Sequence, residues 1–414
     1  MSSLLASRFR EQVSKLKDYK MKIEAEFGIG YPTGFLNYDF KNGTVIHVNG
    51  NGKSMKYYSI GVTDGSMVMI IGRSGSGKTT WATQAAANII RPFKTSCVFY
   101  DSVEGGITEN RMELLTGFKG PELKNRFIVR NSSVTAENFY QRVKIIYDLK
   151  SDNRSEYEYD TGVYDTSGNR IFKLEPTVYI LDSLAMLMPE KFEAEEEISG
   201  QMSATAAAKM NSMVFKRIIP MLKTSNIILF IINHINDNVS INPMQHKKSQ
   251  VSYLKQDEVL PGGRAAIYLS NNIIRFDDHS KLKSAETFGV DGTLVDLGLV
   301  KSRTNKAGQA ATLVFNQDIG FDATLSLFIL LKENNRVKGA GAYLYFGDRD
   351  DMKFSQKAFK QKLNDNVELQ DVFMKEVIDV LTTQLDSTDV DRDLDTNTDI
   401  ISARVLEHLN TLVA

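Results

Sequence analysis

One octapeptide constrains this chain more than any other feature. Gly72-Arg73-Ser74-Gly75-Ser76-Gly77-Lys78-Thr79 fits the pattern G-x-x-x-x-G-K-[ST]. It follows the apolar run Met67–Ile71 and opens the helical pattern Trp81–Ile90. A strand, a glycine turn and a helix start in that order let backbone N–H groups converge on phosphate oxygens at a helix N-terminus. Gly72, Ser74, Gly75, Ser76, Gly77 and Thr80 are therefore expected around the phosphates of ATP. Lys78 is expected to reach the β- and γ-phosphates, and the Thr79 hydroxyl to ligate Mg²⁺.

The rest of the pattern agrees with an α/β fold. Apolar runs at Met67–Ile71, Cys97–Tyr100, Phe127–Val129, Val178–Leu181 and Ile227–Ile232 alternate with helical patterns over 79–91, 108–118, 135–150 and 203–223. Continuous apolar strands alternating with helices predict a mostly parallel sheet covered on both faces. Ile273–Phe276, Thr293–Val300 and Ala311–Phe315 extend it as further strands. Residues 1–27 have helical apolar spacing, and 28–65 read as loops and short hairpins. The expected division is a helical arm over 1–30, a core over 31–332 with an inserted hairpin at about 150–176, and a small C-terminal α/β domain over 333–414. Within that domain, 353–385 read as helical, 386–399 as an acidic linker and 400–413 as a last helix.

Composition narrows the class. No run of about 18 apolar residues is present, so no transmembrane helix is expected. The first twenty residues lack the apolar core of a signal peptide, and a cytoplasmic setting is expected. The single cysteine, Cys97, excludes a disulfide framework. With a net charge of −1, any nucleic-acid partner must be met by local cations.

Further motifs lie where a parallel sheet binds ligands, at the carboxyl ends of its strands. Val178–Asp182 ends in a carboxylate suited to the metal. After Phe99-Tyr100, Glu104 is placed to orient water for attack on the γ-phosphate, with Asp101 the competitor for that role. His234 ends the strand Ile227–Ile232 and is placed to sense the γ-phosphate. The other histidines have no ligand spacing. Two long segments, 189–203 and 235–263, suit a polymeric ligand. They bring Gln201 and Met202, then Lys247, Lys248, Tyr253, Lys255, Gly262, Gly263 and Arg264, with Lys209 nearby. Lys301 and Arg303, two apart at a strand end, would form a cationic clamp.

Taken together, the phrases FYDS…GIT (99–108), LDSLAML (181–187), IINH (231–234), PGGRAAIYLSNNIIRF (261–276), VKSRT (300–304) and GAYLYF (341–346) make the chain resemble the RecA family of strand-exchange recombinases, most closely its phage UvsX type. The resemblance runs from about Tyr31 to about Val380. It implies a DNA-dependent ATPase that polymerises as a helical filament on single-stranded DNA and pairs it with homologous duplex, with ATP at subunit interfaces. It assigns Glu104 to the water, Asp182 to the metal and His234 to the γ-phosphate. Lys301 and Arg303 would act on a neighbouring subunit's ATP. The segments 189–203 and 235–263 become DNA loops, residues 1–30 a polymerisation arm, and Thr108 and Arg111 neighbours of adenine. Loader and single-strand-binding proteins follow as partners, and a host cytoplasm or nucleoid as the setting if the chain is phage-encoded.

Three features depart from the family pattern: Glu104 stands three residues after Asp101 rather than two, residues 150–176 are inserted, and Arg111 replaces an aromatic. Two alternatives share the core, a hexameric replicative helicase and a non-catalytic ATP-gated filament scaffold.

Overall fold

Nine strands form one sheet around the strand that carries the phosphate loop. In the computed structural model, which describes residues 28–50, 53–103, 107–165, 168–193, 200–237, 249–282, 292–387 and 399–400, they are β1 (Met67–Gly72), β2 (Val98–Ser102), β3 (Phe127–Arg130), β4 (Thr177–Asp182), β5 (Ile227–His234), β6 (Asn272–Leu282), β7 (Gly292–Lys301), β8 (Gln309–Asn316) and β9 (Gly320–Asp322). Their order is β9-β8-β7-β6-β1-β5-β4-β2-β3. From β6 to β3 every pair is parallel. The pairs β6–β7, β7–β8 and β8–β9 are antiparallel. The expected α/β class with a mostly parallel sheet is thus the observed one.

Alternation along buried strands divides the core in two. Val68 and Ile70 of β1, with Ile180, Phe230 and Ile232, pack under α1 (Lys78–Ile90). Ala82, Ala85, Ala86 and Ala87 let that helix lie close to the sheet, and Trp81 sits within 5.2–6.1 Å of the Phe35, Tyr38, Phe230 and Phe276 rings. Met67, Met69 and Ile71 face the other way, with Phe139 of α2 (Ala136–Asp152), Phe215 of α3 (Gly200–Ser225) and Ile267 of α4 (Arg264–Leu269). A third cluster joins the helix Ala323–Glu333 to Phe346, Phe354, Phe359 and Phe373 of the C-terminal region.

Several boundaries differ from expectation. Within 28–65 there is a helix, Leu36–Lys41, and a hairpin of two seven-residue strands, Thr44–Gly50 and Lys53–Ser59. Tertiary packing made that helix, because Leu36 and Phe40 lie in the third cluster and Tyr38 lies on Trp81. In the 150–176 region α2 runs on to Asp152, and Glu158–Tyr164 pairs antiparallel with Arg170–Leu174. The 353–385 region is two helices, Phe359–Asp365 and Val367–Asp386, split where the Asn366 side chain accepts the Leu369 N–H at 2.9 Å. Asp399–Ile400 pairs with Lys56–Tyr57, so the expected last helix does not begin at residue 400. Residues 1–27, 388–398 and 401–414 lie outside the described residues.

Candidate functional site

β1 delivers the chain into the phosphate loop at the carboxyl edge of the sheet, between β5 and β6. Gly75 and Gly77 have φ of +79° and +88°, a region that costs other residues about 1–2 kcal/mol. Gly77 is held twice over, since a Cβ there would lie 2.9 Å from Phe321. The loop closes on itself: Ser76 Oγ donates to the Arg73 carbonyl at 2.9 Å, and Lys78 Nζ donates to the Gly72 and Arg73 carbonyls at 3.0 and 2.6 Å. Lys78 is buried, whereas Arg73, Ser74 and Gly75 are exposed. Thr80 is half-buried one residue further along α1.

Thr79 and Asp182 meet as their positions imply. Thr79 Oγ1 donates to Asp182 Oδ2 at 2.8 Å, and the Tyr100 hydroxyl donates to the same oxygen at 3.0 Å. A hydroxyl and a carboxylate oxygen are hard donors of the kind Mg²⁺ takes when phosphates complete its shell, so these residues fit that ion. Tyr100 was not among the sequence candidates. Strand alternation carries the signal for it, because Tyr100 and Ser102 share a face with Asp182 in the β2–β4 register.

The same alternation turns Asp101 away. Its carboxylate accepts from Arg142 of α2 and from the Tyr179 hydroxyl on the opposite face of the sheet. Burial and the Asp101 charge push the Tyr179 hydroxyl well above its ordinary pKa. Asp101, carried as the competing base, is thereby corrected to a buried strand-end anchor. Glu104 lies outside the described residues. The chain is followed to Val103, whose N–H donates to the Asp182 carbonyl at 2.7 Å.

His234 stands opposite Gly72 in the β5–β1 register and is half-buried. By alternation it shares the α1 face with Ile232, while Asn233 faces the other side and donates to the Pro261 carbonyl at 2.9 Å. Lys301 ends β7, and Arg303 lies just past it rather than on the strand. Both reach the last turn of α4: Lys301 donates to the Ile267 and Tyr268 carbonyls at 2.9 and 2.8 Å, and Arg303 to that of Tyr268 at 3.0 Å. Burial, then the Arg303 charge, lowers the Lys301 pKa. Arg111, near the N-terminus of the helix Glu109–Thr116, donates to the Asp318 carbonyl at 2.6 Å, and the Thr108 side chain caps that helix.

The two long segments are more structured than expected. Of 189–203, Glu190–Glu193 is helical and α3 already begins at Gly200, so Gln201 and Met202 are helical residues and the described stretch of loop is short. Lys209 is exposed on α3. In 235–263, Asn236–Asp237 pairs with Glu258–Val259. Lys255 is exposed and Arg264 is exposed at the start of α4. Tyr253 packs against the second core cluster, and burial pushes its hydroxyl up to about 12. Gly262 and Gly263 both have φ of +87°, and a Cβ on them would meet Leu184 at 2.6 Å and Ala208 at 3.0 Å. Gly262 thus lies close on Leu184 just after β4, Gly263 lies close on α3, and both glycines and Tyr253 are half-buried. Lys247 and Lys248 lie outside the described residues.

No family model matches the chain. Curated relatives do: "Protein RecA" of Chlamydia felis is 24% identical over 205 residues, that of Chlamydia abortus 23% over 205, and that of Chlamydia caviae 25% over 207. Each match covers 49% of this chain and 54% of the relative. The chain thus spans about half the length of the curated relatives it matches. The matches support a RecA-family relationship. No helix among the described residues is long and apolar enough to cross a membrane.

Proposed function

We propose that this chain is an ATP-dependent DNA recombinase of the RecA family, of the phage UvsX type, which forms helical filaments on single-stranded DNA and catalyses homologous pairing and strand exchange. The observation that carries this reading is the meeting of Lys78, Thr79 and Asp182 at one sheet edge, in a chain half of which matches RecA proteins.

In this reading the N–H groups at the start of α1 and the Lys78 ammonium hold the ATP phosphates, and hydrolysis rests on positioning and charge. Thr79 and Asp182 would hold Mg²⁺, which supplies charge neutralisation on the phosphates. Tyr100 fixes the Asp182 oxygen that Thr79 also touches. Glu104 orients the attacking water, a role left to it because Asp101 is spent on Arg142 and Tyr179. His234 reports the γ-phosphate to the segment that follows it. Lys301 and Arg303 act on the ATP of a neighbouring subunit. The DNA contacts are Lys247, Lys248, Lys255 and Arg264 of the second segment, with Gln201, Met202 and Lys209 of α3. Partners are single-stranded and homologous duplex DNA, further copies of the chain, and loader and single-strand-binding proteins, in a host cytoplasm.

ATP turnover with and without single-stranded DNA tests the reading. Stimulation of at least about tenfold, saturating with DNA and falling as salt rises, is expected for cations that neutralise phosphates. Equal turnover in both conditions contradicts it. A closed ring rather than a filament on DNA, seen by electron microscopy, favours the helicase.

A further inference from the structure

Lys301 does not point where a regular strand would send it. β6 and β7 pair Ile274 with Leu299 but Ile273 with Lys301, so Val300 is an extra residue near the end of the ladder. Leu299 packs in the first core cluster, whereas Ile273 and Ile267 pack in the second. In unbroken alternation Lys301 would share the Leu299 face. The irregularity puts it on the α4 face instead, where it meets the Ile267 and Tyr268 carbonyls. Re-aiming a side chain is what such a bulge does.

Arg303 reaches the same Tyr268 carbonyl from just beyond the strand. Two cations on one oxygen repel one another, so the backbone that carries them needs a hold of its own. That hold is a knot of neutral side chains. Ser302, between the two cations, accepts the Thr304 and Asn305 N–H groups on its Oγ at 3.2 and 3.0 Å, which turns the chain back at once. The Thr304 hydroxyl donates to Asn42 Oδ1 at 3.0 Å. Asn272, the first residue of β6, donates its amide to the same oxygen at 2.6 Å and reaches Ser302 Oγ at 3.2 Å and Thr304 Oγ1 at 3.4 Å. Asn42 donates in turn to the Gly61 carbonyl at 2.8 Å. Asn305 also donates to the Lys41 carbonyl, at 3.2 Å. The turn after β7 is thus bolted to the end of the helix Leu36–Lys41.

Asn42 and Asn272 are buried, while Arg303 is exposed. Among the described residues, nothing donates to Asn272 Oδ1. A buried amide with one side idle costs free energy that an apolar side chain of the same size does not. Its NH₂ group, which reaches Asn42, Ser302 and Thr304 together, accounts for the residue. The knot also lies away from the chain's own phosphate loop, since Asn272 stands opposite Val68 near the start of β1 and Gly72 at its end stands opposite Phe276.

We propose that Asn272 and Asn42 are positioning residues which, through Ser302 and Thr304, lock the turn that carries Lys301 and Arg303 and so aim the two cations away from their own chain's nucleotide. That the pair then acts on the ATP of a neighbouring copy rests on the proposed function; the hold on the turn does not.

The test compares wild type, Asn272→Leu, Thr304→Val, Thr304→Ser and Lys301→Ala as full chains. Backbone hydrogen exchange over 300–308 is read without ligands. ATP turnover with a single-stranded oligonucleotide is read for each protein alone and after mixing with Lys78→Ala. Asn272→Leu and Thr304→Val speed exchange over 300–308 and lower the DNA-stimulated kcat about 10–100-fold, the scale of a slightly misplaced group. The KM for ATP stays within about twofold of wild type, as when only the chemical step is touched. Both variants regain turnover when mixed with Lys78→Ala and not when mixed with Lys301→Ala, because the defect lies in the donated cations and not in the phosphate loop. A merely structural loss does not sort in this way. Thr304→Ser keeps the hydroxyl and most of the turnover. Thr304→Val keeps the side-chain shape and carries the test if Asn272→Leu does not fold. Unchanged exchange in both variants overturns the proposal, as does unchanged turnover in both where Lys301→Ala loses it. Faster exchange in both, beside a Lys301→Ala protein with wild-type turnover, supports the hold on the turn and removes the action on a neighbour's ATP instead.

Discussion

Replacing Lys78 by Ala leaves a folded protein with ATP turnover lowered by roughly 10²–10³-fold or more, the usual cost of losing one preorganised charge aimed at the reacting phosphate. Lys78 Nζ sits over the loop it belongs to, 3.0 Å from the Gly72 carbonyl and 2.6 Å from that of Arg73. Steady-state turnover measured beside thermal unfolding separates chemistry from folding. Turnover near wild type in the folded variant removes the phosphate loop from the account.

The second large effect belongs to Lys301 and Arg303. Within one chain both cap the carbonyl end of α4, and they share the Tyr268 carbonyl. A cap contributes a modest amount to stability, whereas a cation supplied in trans to a transferring phosphoryl group is worth about 10³–10⁵ in rate. Lys301→Ala and Arg303→Ala are each expected to bind ATP normally and to lose DNA-stimulated hydrolysis on the larger scale. Mixing either variant with Lys78→Ala protein restores turnover, because an intact phosphate loop then faces an intact cation pair at some interfaces. Absence of rescue in filaments shown to contain both chains contradicts action in trans and leaves the two residues as helix caps.

Much of this site is legible in the sequence, for a simple reason. The phosphate loop and the strand-end residues are local: a glycine pattern, an apolar run and a terminal polar residue lie within a few positions of one another. Buried parallel strands need such runs because both faces are covered, and β1, β4 and β5 follow their sequence patterns to within two residues at each end. Tyr100 and Asp101 carry a finer signal: one residue apart on a strand, they face opposite sides, and the side that holds Asp182 decides which can serve the metal.

The less legible parts are those that tertiary contacts made. The helix Leu36–Lys41 has only six residues, too few to form alone, and exists because its apolar side chains lie on the core. Gly200 and Ser203 suggest loop, yet they open a helix of 26 residues. The Glu258–Arg275 pair spans 17 positions with no periodic signal between them. Gly262 and Gly263 resemble a flexible loop end in sequence, but their value to the fold is the space that a Cβ would take from Leu184 and Ala208.

Strand exchange tests the central claim most directly. Circular single-stranded DNA is incubated with linear duplex of the same sequence, the protein, ATP and Mg²⁺, and joint molecules are resolved after the protein is stripped away. The account predicts joint molecules with homologous duplex and none with a duplex of unrelated sequence, their formation requiring ATP and failing in Lys78→Ala. A wild-type protein whose ATP turnover responds to single-stranded DNA, yet which yields no joint molecules with homologous duplex, contradicts it.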